Sequence, residues 1–272
     1  MADATTAFVG KIPENYERYL APLFFNDFAD DLVARVPVSD DMRVLEVACG
    51  TGIVTRRLVE RLGGRGTVMA TDLNEAMFAH ARTRLPGPHD AKYRTADGTS
   101  LPFESRSYDA VVCQFGLMFF PDKTAGAREA FRVLRPGGVY LLNVWDALEH
   151  NPVGRITHET IAKFFPTDPP KFYTVPFGYH DAGVLQSLLR DAGFDDVRFE
   201  RVAKQGQSPS AAEAATGLVE GNPVYGEITQ RRPEALAEIK AAIAANLARE
   251  LGDRPLRAPL RAFVATARRP ET

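Results

Sequence analysis

Apolar positions along this chain follow two rhythms, and the places where one gives way to the other set the architecture. Between residues 15 and 35, Tyr16, Tyr19, Leu20, Leu23 and Phe24 recur at three- and four-residue spacing. That spacing predicts a helix with a wide apolar face, kinked or broken at Pro22. A regular alternation then begins. Residues 43–48 read as a short strand, followed by a glycine turn and a helix over 53–62 with Val54, Leu58 and Leu62 on one face. A strand over 67–71 and a helix over 74–85 repeat the unit, with Met77, Ala81 and Leu85 inward. A third strand is expected at 91–95. Residues 108–114 are nearly all apolar, as a strand covered on both faces should be. A helix over 122–134 follows, stopped and turned by Arg135-Pro136-Gly137-Gly138, and 139–145 is a fifth strand.

This alternation predicts an α/β fold of the Rossmann-like, doubly wound kind, with right-handed βαβ units on one open sheet. After Trp145 the rhythm loosens. Residues 151–176 read as a polar, proline-rich connection, 181–192 as a helix closed by Gly193, and 197–203 as a strand. Residues 206–254 are alanine-rich and helical, for instance over 233–251, and 260–267 is again strand-like. The helical stretch reads as an insertion between two late strands. The expected division is therefore a leading helical segment over 1–40, a core over 41–204, the insertion over 205–255 and a last core strand over 256–272.

Bulk properties narrow the classes. With 33 Lys+Arg against 35 Asp+Glu the net charge is -2, so no overall field points to nucleic acid or an anionic membrane. Cys49 and Cys113 sit in apolar runs and read as buried, reduced thiols rather than a disulfide or metal pair; no metal site is expected. The stretch MADATTAFVGKIPENYERY lacks a basic segment followed by an apolar core, so no signal peptide is expected. The apolar run over 110–120 is shorter than the roughly 20 residues that cross a bilayer. A cytoplasmic protein is expected.

The chemistry concentrates in VLEVACGTGIV, residues 44–54. A Gly-x-Gly turn after the first strand of a parallel sheet removes two side chains and brings backbone N–H groups of a helix N-terminus to the ligand crevice. Alone the motif is weak. Asp72, 22 positions after Gly50, ends the second strand, where an acid accepts the hydroxyls of a ribose, although it also suits a cap for the helix that begins near Asn74. The dinucleotide fingerprint calls for Gly or Ala three residues after Gly52, and this chain has Thr55. Glu46 lies inside the first strand, an expensive burial unless a cation meets it, and a ligand ammonium would. Ribose, ammonium and no pyrophosphate describe S-adenosylmethionine better than NAD.

The ordered segments VLEVACGTG, TDLNEAM, ADGTSLPFESRSYD, CQFGLMFFPD and FRVLRPGG resemble the motifs of class I S-adenosylmethionine-dependent methyltransferases, in particular the ubiquinone/menaquinone-biosynthesis-like small-molecule group. The resemblance spans residues 42–145; Ala48 departs from it, where a first glycine is more usual. It implies a seven-stranded, mostly parallel sheet whose last strand is antiparallel and lies beside 139–145. It also implies that Glu46, Ala48, Cys49, Gly50, Thr51 and Gly52 hold the methionine end of the cofactor. Asp72 would take the ribose with Leu73 packing against adenine, Asp97 with Gly98 beside it would accept the adenine amino group, and Met77 would also contact the cofactor. Gln114 and Phe115 would lie beside the sulfonium. The leading helix is expected to act as a lid.

Methyl transfer from such a donor needs positioning and exclusion of water more than a general base. His150, just after the fifth strand, is the base candidate; His80 reads as solvated surface, His89 as loop, and His158 and His180 fall in the loosely patterned connection. Tyr16, Tyr19, Phe115, Met118 and Trp145 are expected to line the acceptor chamber, with Phe119 and Phe120 reading better as core. The expected activity is methylation of O, N or C on a small apolar or aromatic acceptor. Alternatives are a cofactor-binding regulator or scaffold and an NAD(P)-dependent oxidoreductase. The exocyclic-amine motif of nucleic-acid methyltransferases is missing after the fourth strand. The insertion is expected to complete the chamber or to form a subunit contact, as in a homodimer.

Overall fold

The β-branched run Met42–Val47 forms β1 at the middle of the sheet, with every residue but Arg43 buried. In the computed structural model, which describes residue 8, residues 10–84 and residues 91–272, β1 pairs in parallel with β2 (Gly66–Asp72) on one side and β4 (Tyr108–Gln114) on the other. Expectations for Leu85, His89, residues 1–7 and residue 9 lie outside the described residues. The seven strands run in the order β3-β2-β1-β4-β5-β7-β6, with β3 over Ala91–Thr95, β5 over Leu134–Trp145, β6 over Asp195–Ser208 and β7 over Leu256–Arg268. β7 is antiparallel to β5, with Trp145 opposite Ala262. The predicted seven-stranded sheet, with its insertion before the last strand, is present.

The chain divides into two compact units. One comprises residues 29–145, 179–202 and 262–272 and holds the complete strands β1–β5. Its helices α3 (Ile53–Leu62), α4 (Glu75–Arg84), α5 (Lys123–Val133) and α7 (Ala182–Asp191) alternate with the strands. Asp122 caps α5 by accepting from the Ala125 N–H at 2.9 Å, which fixes where that helix starts. The other unit comprises residues 1–28, 146–178 and 203–261 and is mainly helical. It contains α1 (Ile12–Asn15), α6 (Pro152–Phe164), α8 (Ala211–Glu220), α9 (Val224–Arg231) and α10 (Leu236–Leu251). This grouping cuts across the boundaries suggested by the sequence: residues 1–28 fall with 203–261, while α2 (Asn26–Ala34) spans the division.

Three local expectations are corrected. The chain does not break at Pro22, because Tyr16–Phe25 is a π-helix, whose wider turn accommodates a residue without an N–H. The stretch Arg135–Gly138 does not end in a free turn. It is bulged out within β5, whose register against β4 jumps from Tyr108↔Leu134 to Ala110↔Val139. Residues 151–176 are not merely a connection, since α6 begins with Pro152 in its first turn, the helical position that tolerates proline.

Candidate active site

The chain leaves β1 for β2 on one side and returns to β4 on the other, so the order reverses at the carboxyl ends of β1 and β4. In open α/β sheets that reversal makes the ligand crevice. The glycine turn stands there. Ala48, Gly50 and Gly52 have φ of 59°, 54° and 79°, a left-handed geometry that glycine adopts freely and that costs alanine about 1 kcal/mol. Gly52 is the N-cap of α3 and no side chain caps that end, leaving the helix's positive terminus for a ligand's anionic group.

Asp72 organises the turn. Its two carboxylate oxygens accept from the Gly50 N–H and the Asn74 N–H, each at 2.8 Å, so it ties β2 to the glycine loop and caps the approach to α4. Each oxygen retains a second lone pair, so these bonds leave acceptor capacity for ribose hydroxyls. Burial raises its pKa, and the backbone donors at Asn74 and Gly50 oppose that rise.

Glu46 is 2% exposed on β1, and no ion pair reaches it among the described residues. Its Oε2 accepts from the Thr55 hydroxyl at 2.5 Å. Burial pushes its pKa up to about 8, with Asp72 adding to the rise and the Thr55 bond and Arg56 opposing it. The carboxyl is therefore protonated at neutral pH, and a cation brought to it would ionise it. Thr55, which counts against a dinucleotide fingerprint, thus has a positive role that sequence reasoning missed. A hydroxyl in the first turn of α3, nine residues after the buried acid, was the available signal. Cys49 packs beside this group with its thiol pushed well above its ordinary value by burial.

At the end of β4 the chain is equally constrained. Phe115 has φ of 50°, an unusual geometry for a bulky residue, and its ring lies 3.8 Å from that of Trp145 at an interplanar angle of 6°. The Phe115 N–H donates to Asn143 Oδ1 at 2.9 Å, and Asn143 Nδ2 donates to Gln114 Oε1 at 3.4 Å. Gly116 allows the β1 and β4 turns to touch, since a Cβ there would stand 2.6 Å from the Ala48 Cβ. Met118 is buried in the short 3₁₀ turn Leu117–Phe119, and Phe120, half-buried, packs against Gly98 and Gly126.

Of the remaining expected residues, Leu73 is 54% exposed, a large apolar face at the end of β2 suited to a flat ligand. Met77 is buried, its Cε near the position a Gly50 Cβ would take. Thr51 is also buried, and its carbonyl accepts from Arg56. Asp97 is exposed and accepts from the Thr99 N–H and hydroxyl. Tyr16 and Tyr19 belong to the helical unit, where Tyr16 stacks on Phe25 at 4.8 Å and Tyr19 packs on Gly217. His150 lies exposed in that unit, on the short turn Leu148–His150. His80 is half-buried rather than solvated, with Nε2 covered and unpaired. Among the described residues no cluster of His, Cys, Asp and Glu suits a metal ion, and no helix is long and apolar enough to cross a membrane.

A methyltransferase-domain family model matches residues 44–138, the segment that builds this crevice. The ubiquinone/menaquinone biosynthesis C-methyltransferase UbiE of Shewanella frigidimarina is 29% identical over 171 residues, covering 58% of this chain and 68% of that protein. The solved phosphoethanolamine N-methyltransferase 2 of Haemonchus contortus, in complex with S-adenosylmethionine, has a TM-score of 0.63 at 17% identity, covering 99% of this chain and 60% of that one. The [4+2]-cyclase SpnF has a TM-score of 0.60 at 20% identity, covering 91% of this chain and 82% of that one. At such identity the solved structures speak for the fold alone. Over residues 44–138 the chain is thus similar to methyltransferase domains and to UbiE, on a fold shared with solved methyltransferases.

Proposed function

We infer that the protein moves a methyl group from S-adenosylmethionine to an O, N or C nucleophile of a small acceptor, with apolar or aromatic acceptors preferred. One observation carries the cofactor half of this reading: a fully buried carboxyl, Glu46, with no ion pair among the described residues, beside an uncapped helix N-terminus and an acid at the end of β2. These groups fit an amino acid joined to a ribose: Glu46 for the ammonium, the α3 terminus for the carboxylate, Asp72 for the hydroxyls and Leu73 for the adenine. When bound, the cofactor supplies an electrophilic methyl on a sulfonium. The protein's own residues then orient and desolvate. Asp72 and Glu46 fix the two ends of the donor, and the Phe115–Trp145 stack, with both rings buried, keeps the carboxyl ends of β4 and β5 apolar.

The acceptor class rests on that aromatic pair and on the relatives' printed activity as C-methyltransferases. A flat, hydroxylated aromatic ring suits the stack better than a phosphorylated amine does. The regulator and oxidoreductase alternatives find no support among similar proteins. An acceptor screen decides the class: release of S-adenosylhomocysteine from S-adenosylmethionine, measured with hydroquinones and phenols and separately with phosphoethanolamine. Turnover with the aromatic set alone is expected. Turnover with phosphoethanolamine alone would overturn the aromatic assignment while leaving methyl transfer in place.

A further inference from the structure

Asn143 is polar and wholly buried in the apolar run of β5, a placement that costs stability unless its amide is fully used. It is used toward one place. Oδ1 accepts from the Phe115 N–H at 2.9 Å, and the Asn143 carbonyl takes the same N–H at 3.2 Å. Nδ2 donates to Gln114 Oε1 at 3.4 Å. Phe115 is held in a left-handed conformation that a free chain avoids, and strain of this kind persists only where the surroundings over-determine it. The surroundings here are Asn143 on the backbone and Trp145, two residues along the same strand face, on the ring.

We propose that Asn143 is the positioning residue of the methyl-transfer site: its amide sets the Phe115 backbone and the Gln114 carboxamide in the arrangement that receives the sulfonium end of the cofactor. This rests on the methyltransferase reading above. Asn143 touches no reactant. It acts through the two residues it holds, and one face of β5 carries both the amide that clamps Phe115 and the ring that stacks on it. A side chain kept only for strand stability would have no reason to aim both amide ends at consecutive residues of the neighbouring turn.

Trp145 is the chain's single tryptophan, so its fluorescence reports directly on this stack. The test compares wild type, Asn143→Leu and Asn143→Asp by tryptophan emission and by titration with S-adenosylhomocysteine at pH 5.5 and 8.5. Failure of the wild type to bind would defeat the methyltransferase reading itself and the proposal with it. With wild-type binding in place, Asn143→Leu should remain folded by circular dichroism, shift the Trp145 emission and weaken binding at least tenfold. Asn143→Asp, while protonated, keeps an acceptor and a donor in the same places. It should bind within threefold of wild type at pH 5.5 and fall at least tenfold below it at pH 8.5. A folded Asn143→Leu with unshifted emission and affinity within threefold of wild type would overturn the proposal. Should that variant fail to fold, Asn143→Asp decides alone: pH-dependent rescue supports the proposal, and equal affinity to wild type at both pH values refutes it.

Discussion

Glu46→Gln removes the titration of the buried carboxyl proposed to meet the cofactor ammonium. In the wild type, burial holds the carboxyl protonated up to about pH 8, against an ordinary value of 4.5. Because the folded pKa is raised, the native state binds more protons than the unfolded state between those two values. Stability is therefore unaffected below about pH 4.5 and is lost as pH climbs toward 8, at up to about 1.4 kcal/mol per pH step. The loss is about 3 kcal/mol by pH 7 and approaches about 5 kcal/mol above pH 8. Glutamine keeps an acceptor for the Thr55 hydroxyl and cannot ionise, so the variant lacks this slope. Urea unfolding from pH 5 to 8.5 should show the variant gaining on the wild type by about 3–5 kcal/mol across the window. A cofactor ammonium at Glu46 would ionise it, so wild-type binding of S-adenosylhomocysteine should release most of a proton at pH 7 and much less at pH 9. Calorimetry in buffers of different ionisation enthalpy reads this number directly, and Glu46→Gln should release none from this site and bind more weakly. Parallel pH–stability curves for the two proteins, or proton release equal in both, would refute the reasoning.

Asp72→Ala should weaken S-adenosylhomocysteine binding by about 1.5–3 kcal/mol through loss of charge-assisted hydrogen bonds, read by calorimetry, with the fold retained by circular dichroism. Because Asp72 also accepts from Gly50 and Asn74, the same variant should unfold at lower urea, and unchanged affinity would remove the ribose assignment. Ala48→Gly should stabilise the protein by about 0.5–1 kcal/mol by relieving a left-handed alanine, and Gly116→Ala should destabilise it. Since the two Cβ positions collide, the double variant should recover part of that loss, and strict additivity in the four-way cycle would contradict the contact. Burial pushes the Cys113 thiol up to about 12 and the Cys49 thiol well above its ordinary value, so both should resist iodoacetamide at pH 8 in the folded protein. Rapid labelling without unfolding would contradict their burial.

The strands and helices between residues 42 and 145 were legible because parallel strands covered on both faces write themselves as apolar runs and their helices as one-sided stripes. Residues 108–114 and 53–62 coincide with β4 and α3 for this reason. The helix α6 was hidden behind Asn151 and Pro152, residues that signal a break locally and a helix start only when the chain after them packs. The continuity through Pro22 was illegible since ten residues are too few to tell the wider period of a π-helix from that of an α-helix, and proline locally signals a break. In the site, the residue types of the glycine turn and Asp72 announced themselves. Asn143 did not, because its meaning lies in what faces it across the sheet: the pairing of Gln114 with Asn143 depends on a strand register that no local pattern records. Thr55 was read for what it excluded, while its bond to Glu46 depends on the turn that folds α3 back over β1.

The most direct test of the central claim is calorimetric titration of the purified protein with S-adenosylhomocysteine and, separately, with NADH. The account predicts micromolar binding of the first, lost or strongly weakened in Asp72→Ala, and none of the second. Binding of NADH with no response to S-adenosylhomocysteine would contradict it.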